Sequence, residues 1–219
     1  IQFDRKSDGS LENLKFKHVD TGLGLERITA TLNNVTDHYL TDLFKPIIDE
    51  IIKISGNDYT FQNGVPHRVI SDHLRMISFS LSDGIMPSNE GQGYVVRRVL
   101  RRASRFGRVL EIKSDFLYKL VDQLIGILGD AYPELKEKEI HIKNVIKSEE
   151  ESFGRTLDRG LILFDEICKM NPKKIPGEDV FKLYDTYGFP IDLTELLATE
   201  KGLKIEKEIF EKLMSEQKA

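Results

Sequence analysis

Leu40, Leu43, Phe44, Ile47, Ile48, Ile51 and Ile52 fall on one stripe of an α-helix, and such a stripe has to be buried against other elements. The pattern recurs down the chain. Gly56 ends the first stripe, and Pro46 within it predicts a kink or a later start. A second helix is expected from about Pro66 to Asp83, with Ile70, Leu74, Ile77 and Leu81 inward and Gly84 as its cap. After a Gly-, Pro- and Ser-rich loop from Ile85 to Gly93, a third helix starts near Tyr94. Ser114 can cap a fourth, running to Leu128. Pro133 opens a long charged fifth that reaches about Lys169. Asn171 to Gly177 reads as a turn-rich connection, and two or three short helices follow, punctuated by Gly188-Phe189-Pro190 and Gly202. Residues 37–219 are therefore expected to form a mainly α, bundle-like domain.

Residues 1–36 read differently. Ile1 to Arg5 has the look of a short strand, Asp8-Gly9 is a turn signal, and Lys15 to Val19 alternates around Phe16 as a second strand. Asp20-Thr21-Gly22-Leu23-Gly24 then leads into Leu25-Glu26-Arg27-Ile28, a strand–turn–helix pattern. Two strands are too few for a stable sheet. Further strands are expected before Ile1, which is itself not a Met, as in an internal piece of a longer protein.

The 219 residues carry a net charge of -4, which by itself argues against nucleic-acid binding. The charge is unevenly placed. Residues 94–113 hold six Arg and one Lys against one Glu, a local +6 that leaves -10 for the rest. A basic strip on an acidic body fits a polyanion site or a solvated helix face. No stretch is apolar enough to span a membrane, and Asp4, Arg5, Lys6 and Asp8 interrupt any leader. One cysteine, Cys168, permits no internal disulfide and suits a reducing cytoplasm.

The basic strip has a geometry. At roughly 100° per residue, Arg97, Arg98, Arg101, Arg102, Arg105 and Arg108 occupy an arc of about 140°. Val96, Val99, Leu100, Ala103 and Phe106 fill the opposite side. Guanidinium forks bind phosphate through two parallel hydrogen bonds. The row is read as a phosphate-binding face, with one or two members paired to the protein's own carboxylates. In the loop before it, Asn89 can read a base edge or cap a helix. Asp185, among Tyr184, Tyr187 and Phe189, can accept from a base amino group or mark an interhelix corner.

In the N-terminal segment, Gly22 and Gly24 expose backbone to an approaching planar group. Arg27 can stack on it or neutralise a phosphate, and Asp20 suits an ammonium group. A tight turn with a surface Arg is the plainer reading. His18, His38, His67, His73, His141 and Cys168 lack zinc-ligand spacing, so no metal is assigned.

Taken together, three segments resemble the alanyl-tRNA synthetase family, in family order. Asp20-Thr21-Gly22-Leu23-Gly24-Leu25-Glu26-Arg27-Ile28 looks like the third class II signature motif in its alanine form. Ser88-Asn89-Glu90 through Gly93-Tyr94-Val95-Val96-Arg97-Arg98 resembles the acceptor-stem segment, and Leu183 to Pro190 a second recognition segment. The resemblance covers nearly the whole chain. It implies that residues 1–36 end a class II aminoacylation domain, as a remnant of its antiparallel sheet, and that 37–219 form the helical tRNA-recognition domain. It implies that Arg27 contacts ATP, that Gly22 and Gly24 line the adenylate pocket, and that Asp20 holds the alanine ammonium, with Mg2+ taking part in the parent enzyme. Asn89 and Asp185 would flank the G·U wobble pair of the tRNA(Ala) acceptor stem, while Arg97, Arg98, Arg101, Arg102 and Arg105 grip phosphates. The first two class II motifs are missing, so the chain alone is not expected to be catalytic, and Gln92 stands where a more basic loop residue is expected for a contact of that loop. A non-catalytic helical RNA-binding module, and a scaffold whose arginines pair internally, remain as alternatives.

Overall fold

The computed structural model describes residues 1–170 and 173–218. The chain divides into two compact units, Ile1–Leu43 and Phe44–Ala219.

The first unit begins with a hairpin. β1 (Phe3–Arg5) pairs antiparallel with β2 (Leu11–Asn13), with Phe3 opposite Asn13 and Arg5 opposite Leu11. Gly9, at φ +85°, makes the turn, and its N–H donates to the Lys6 carbonyl at 2.9 Å. The expected second strand at Lys15 to Val19 is not formed. A tight turn at Asp8-Gly9 brings the chain back at once, so pairing starts at Leu11, and turn geometry sets the register. α1 (Leu25–Leu32) follows, with the extended Gly24 as its first flanking residue. A 3-10 turn, His38–Leu40, ends the unit, capped by the Asp37 carboxylate accepting from the Tyr39 N–H at 3.0 Å.

The second unit is helical and has two cores. α2 (Lys45–Ser55) starts later than the stripe alone predicts because Pro46 occupies its first turn, and Gly56 ends it in the left-handed region at φ +73°. α3 (Val65–Ser82) buries Ile70, Leu74, Ile77 and Leu81 completely. α4 (Gly91–Val109) packs Val96, Leu100, Ala103 and Phe106 against them. α5 (Leu117–Leu128) and α6 (Pro133–Glu137) complete this core. The predicted fifth helix is broken at Lys138, so α6 is short and α7 (Glu139–Met170) runs on alone.

α7 belongs to both cores. Its stripe buries Ile142 and Ile146 in the first, then Phe153, Leu157, Phe164 and Ile167 in the second. The second core is closed by α8 (Gly177–Tyr187), α9 (Ile191–Glu200) and α10 (Lys207–Lys218). A two-residue parallel bridge, β3 (Lys174–Ile175) with β4 (Lys204–Ile205), ties the ends together. Asn171 and Pro172, from the expected turn, lie outside the described residues.

Ser114 does not cap α5. The flanking position is Phe116, without a side-chain cap of its own. A carboxylate from α7 does the work instead: Glu150 accepts from the Phe116 N–H at 3.0 Å and the Leu117 N–H at 3.1 Å. Among the described residues no helix is long and apolar enough to cross a membrane.

Candidate functional site

α4 begins at Gly91, three residues earlier than its apolar stripe predicts, with Glu90 as its first flanking residue. Asn89 therefore stands just outside the helix start and is exposed. Gly93 explains why the chain can turn so tightly there. A Cβ at Gly93 would lie 2.1 Å from the Met86 carbonyl oxygen and 2.4 Å from Ser88 Oγ. Gly93→Ala is accordingly expected to cost about 2 kcal/mol, in the range of overpacked sites. Urea denaturation measures it, and a change under about 0.5 kcal/mol would show that the Met86–Ser88 loop yields freely.

The arginine row is not the free face expected from the sequence. Arg97 Nε lies 2.8 Å from Glu149 Oε1, and Arg101 donates to the same oxygen at 3.0 Å. Arg98 approaches Asp192 at 3.4 Å, Arg105 pairs through two nitrogens with Glu200, and Arg108 pairs with Asp158 at 3.0 Å. Five of the six thus face internal carboxylates, where one or two were expected. The reason lies in the tertiary fold. α7 and α9 lay their acidic residues across the basic face of α4, and these five guanidiniums find partners of opposite charge there. Arg105 is only 7% exposed. Among the described residues Arg102 differs in making no ion pair, and its Nε, like those of Arg97 and Arg101, is buried without a hydrogen-bond partner.

The three N-terminal arginines nevertheless border open space. Arg97, Arg98 and Arg101, with Asn89 and Tyr94, form one wall of a cavity of about 450 Å³. Tyr184, Asp185 and Gly188 from the end of α8 form the opposite wall, and Met214 and Gln217 of α10 reach it too. So Asn89 and Asp185 share one cavity with three of the five arginines named with them. Arg102 and Arg105 do not line it.

Hydrogen bonds fix both walls. Arg97 donates to Asn89 Oδ1. A guanidinium only donates, so the atom facing it is the amide oxygen, and the Asn89 amino group is turned away from Arg97. Asp185 Oδ1 accepts from Gln217 Nε2 at 2.6 Å, which leaves Oδ2 for another donor. Gly188, at φ +68°, ends α8, and its carbonyl accepts from Arg101. A Cβ there would meet Arg101 Nη1 at 2.7 Å, so glycine serves both the turn and the close approach. Burial pushes Arg101 below the usual arginine range while Glu149 pulls the other way. Burial raises Asp192, opposed chiefly by Arg98. The cavity is polar and mixed in charge.

Glu149 and Gln217 were missed in the sequence. Glu149 carried a signal: it lies beside the apolar stripe of α7, between Ile146 and Phe153. Gln217 carried none.

In the first unit, Asp20, Gly22, Gly24 and Arg27 are all exposed. A Cβ at Gly22 would meet nothing within 4 Å, and neither residue needs a left-handed backbone. Local packing therefore does not explain those glycines. Among the described residues no cluster of His, Cys, Asp or Glu is arranged to hold a metal ion.

Relatives of known name share this chain throughout. An alanine–tRNA ligase of Idiomarina loihiensis is 49% identical over 219 residues, covering 100% of this chain and 25% of the relative. One from Staphylococcus aureus is 49% identical over 222 residues, covering 99% and 25%. One from Chlorobium phaeobacteroides is 44% identical over 226 residues, covering 100% and 26%. The chain spans about a quarter of the length of the curated relatives it matches. Residues 1–219 all match the family described as tRNA synthetases class II (A), and the chain belongs to that family.

Proposed function

We propose that this chain is the part of an alanine–tRNA ligase that inspects the acceptor stem of tRNA(Ala) and supplies contacts for ATP and alanine. The observation that carries the reading is that Asn89 and Asp185, distant in sequence, line one cavity. A G·U wobble pair leaves the guanine 2-amino group unpaired in the minor groove. In A-form RNA that groove is wide and shallow, so short side chains reach base edges there. Asp185 Oδ2 is the acceptor for that amino group. The Asn89 amino group is a donor for an acceptor on the same edge, because its oxygen is already engaged by Arg97. A donor and an acceptor on opposite walls can test a single pair.

In the first unit, Asp20 holds the alanine ammonium, and Gly22, Gly24 and Arg27 face the adenylate. The fit is supported by glycines that no local contact demands and by an exposed Arg27 in the first turn of α1. Stabilising developing charge at the α-phosphate is the task an arginine there performs in the complete enzyme. Mg2+ has no donor cluster among the described residues of this chain, and no step is assigned to it on this chain. A cytoplasmic location follows from the same reading.

The test is binding of short hairpin RNAs whose stems differ only in one G·U or G·C pair. Asn89→Ala and Asp185→Ala are each expected to lower the G·U preference about tenfold or more, the worth of one good polar contact in a recognition site. Uniform weakening on both RNAs would instead favour a non-catalytic RNA-binding module. Salt adds a second reading. With most of the α4 arginines already paired, the log–log salt slope should be shallow, about -1 to -2, corresponding to roughly two phosphates. No RNA binding at any salt would leave only the scaffold reading.

A further inference from the structure

One carboxylate touches both walls of the cavity indirectly. Glu149 Oε1 accepts from Arg101 Nη2 at 3.0 Å and Oε2 from Arg97 Nη2 at 3.3 Å, while Arg97 Nε lies 2.8 Å from Oε1 as an ion-pair contact. Each of these arginines has a second task. Arg97 donates to Asn89 Oδ1 on one wall. Arg101 donates to the Gly188 carbonyl on the other, at the end of the helix that bears Asp185. The Glu149 side chain is 12% exposed and the Arg101 side chain 16%, so solvent competes little for these bonds. The long arms of arginine span the gap, and the rigid planar fork of a guanidinium donates in two fixed directions at once.

We propose that Glu149 is a positioning residue that sets the spacing and polarity of the two side chains reading the RNA. It acts through Arg97 on Asn89 and through Arg101 on Gly188 and hence on α8. Polarity is the sharper consequence. An asparagine amide free to turn by half a rotation would offer its oxygen and its amino group equally, and would not distinguish a donor from an acceptor on the base edge. Arg97, itself anchored by Glu149, holds the oxygen inward. The groove then meets a donor from Asn89 and an acceptor from Asp185. Phe153 adds a second restraint, since the Arg101 guanidinium carbon lies 5.2 Å from its ring centroid. Arg101 therefore remains packed when the carboxylate is lost, whereas Arg97 loses its principal anchor. The Asn89 wall should be the more sensitive of the two.

The inference rests on the cavity being the RNA-reading site, and the experiment separates the two. The intact chain is titrated with the G·U and G·C hairpins as wild type, Glu149→Gln, Asn89→Ala and the double variant. Thermal melting reports folding. Glu149→Gln is expected to lower the G·U preference about tenfold, as for loss of one charge-assisted restraint. The double variant should discriminate far less badly than the product of the two single losses, because the larger part of the Glu149→Gln effect runs through the Asn89 amide, the Arg101 branch staying packed on Phe153. In nitrogen–proton correlation spectra, the Asn89 side-chain amide pair, assigned by its absence in Asn89→Ala, should move towards the position of a free amide in Glu149→Gln. Full G·U preference in a folded Glu149→Gln variant, with preference lost in Asn89→Ala, overturns the inference and leaves the reading of the cavity intact. Equal weakening on both RNAs overturns it as well. Preference retained in Asn89→Ala overturns the reading itself. If Glu149→Gln fails to fold, Arg97→Lys decides by the same criteria: it keeps the charge but loses the fork that reaches Asn89 and Glu149 together.

Discussion

Phe189→Ala is expected to destabilise the helical unit by about 3 to 5 kcal/mol, the usual cost of deleting a buried aromatic ring. Phe189 is fully buried in the second core. Its ring packs against Phe153 at 5.9 Å between centroids and lies directly over Gly160 of α7. A Cβ on Gly160 would sit 2.4 Å from the ring, so helix and ring are in contact with no side chain between them. Phe189 also follows the α8 turn, where the Gly188 N–H donates to Tyr184 and the Phe189 N–H to Leu183. Removing the ring leaves a cavity that the α7 backbone cannot fill, because a helix does not collapse sideways into space. A melting temperature lower by roughly 10 °C is the expected readout for a domain of this size. The same change should blunt G·U discrimination, since Gly188 and Asp185 are held by that turn. A loss under about 1 kcal/mol would mean the corner is not packed as described.

Phe189 also shows where sequence reasoning stops. Helical periodicity gave Ile70, Leu74, Ile77 and Leu81, all fully buried, because period encodes which face turns inward. It could not say that the corner at Gly188-Phe189-Pro190 would lock onto Gly160, since nothing local marks a glycine as the floor under a distant ring. The start of α4 was placed late for a related reason. Gly91 and Gly93 are poor interior helix formers, yet Gly93 is present because Met86 and Ser88 press against it. The arginine row was legible as a face and wrong as a free one. Charge pairing is decided by which acidic residues the fold brings near, and α7 and α9 bring Glu149, Asp192 and Glu200. Ser114 was a sound local cap that lost to Glu150, a residue on another helix. The pairing of Asn89 with Asp185 came from resemblance alone, and no spacing argument would have joined them. The hairpin register slipped because the turn, not the alternation around Phe16, sets where pairing begins.

Glu150 supports the second large effect, a dependence of stability on pH. It occupies an apolar-stripe position of α7, between Ile146 and Phe153, and is 4% exposed. Burial pushes its carboxyl up from the ordinary 4.5 to about 7. The N–H groups of Phe116 and Leu117 hold it down against burial, nearby Asp115 raises it further, and Arg108 lowers it. The sign follows from proton counting. Between about pH 4.5 and 7 the folded chain keeps a proton on Glu150 that the unfolded chain has released. The contribution of this residue to stability therefore falls as pH rises through that window and is constant on either side of it. A shift of this size corresponds to roughly 3 kcal/mol across the window. Glu150→Gln removes the titration while keeping an oxygen that can accept from the α5 N–H groups. Urea denaturation of wild type and variant from pH 5 to pH 8 isolates the residue and its coupling to Asp115 and Arg108, because groups distant from it cancel in the difference. The wild type should gain on the variant by about 3 kcal/mol as the solution is acidified across the window. A difference that does not change with pH would mean that the dipole and N–H groups at the start of α5 hold the carboxylate ionised against burial, so that Glu150 acts as a permanently charged cap.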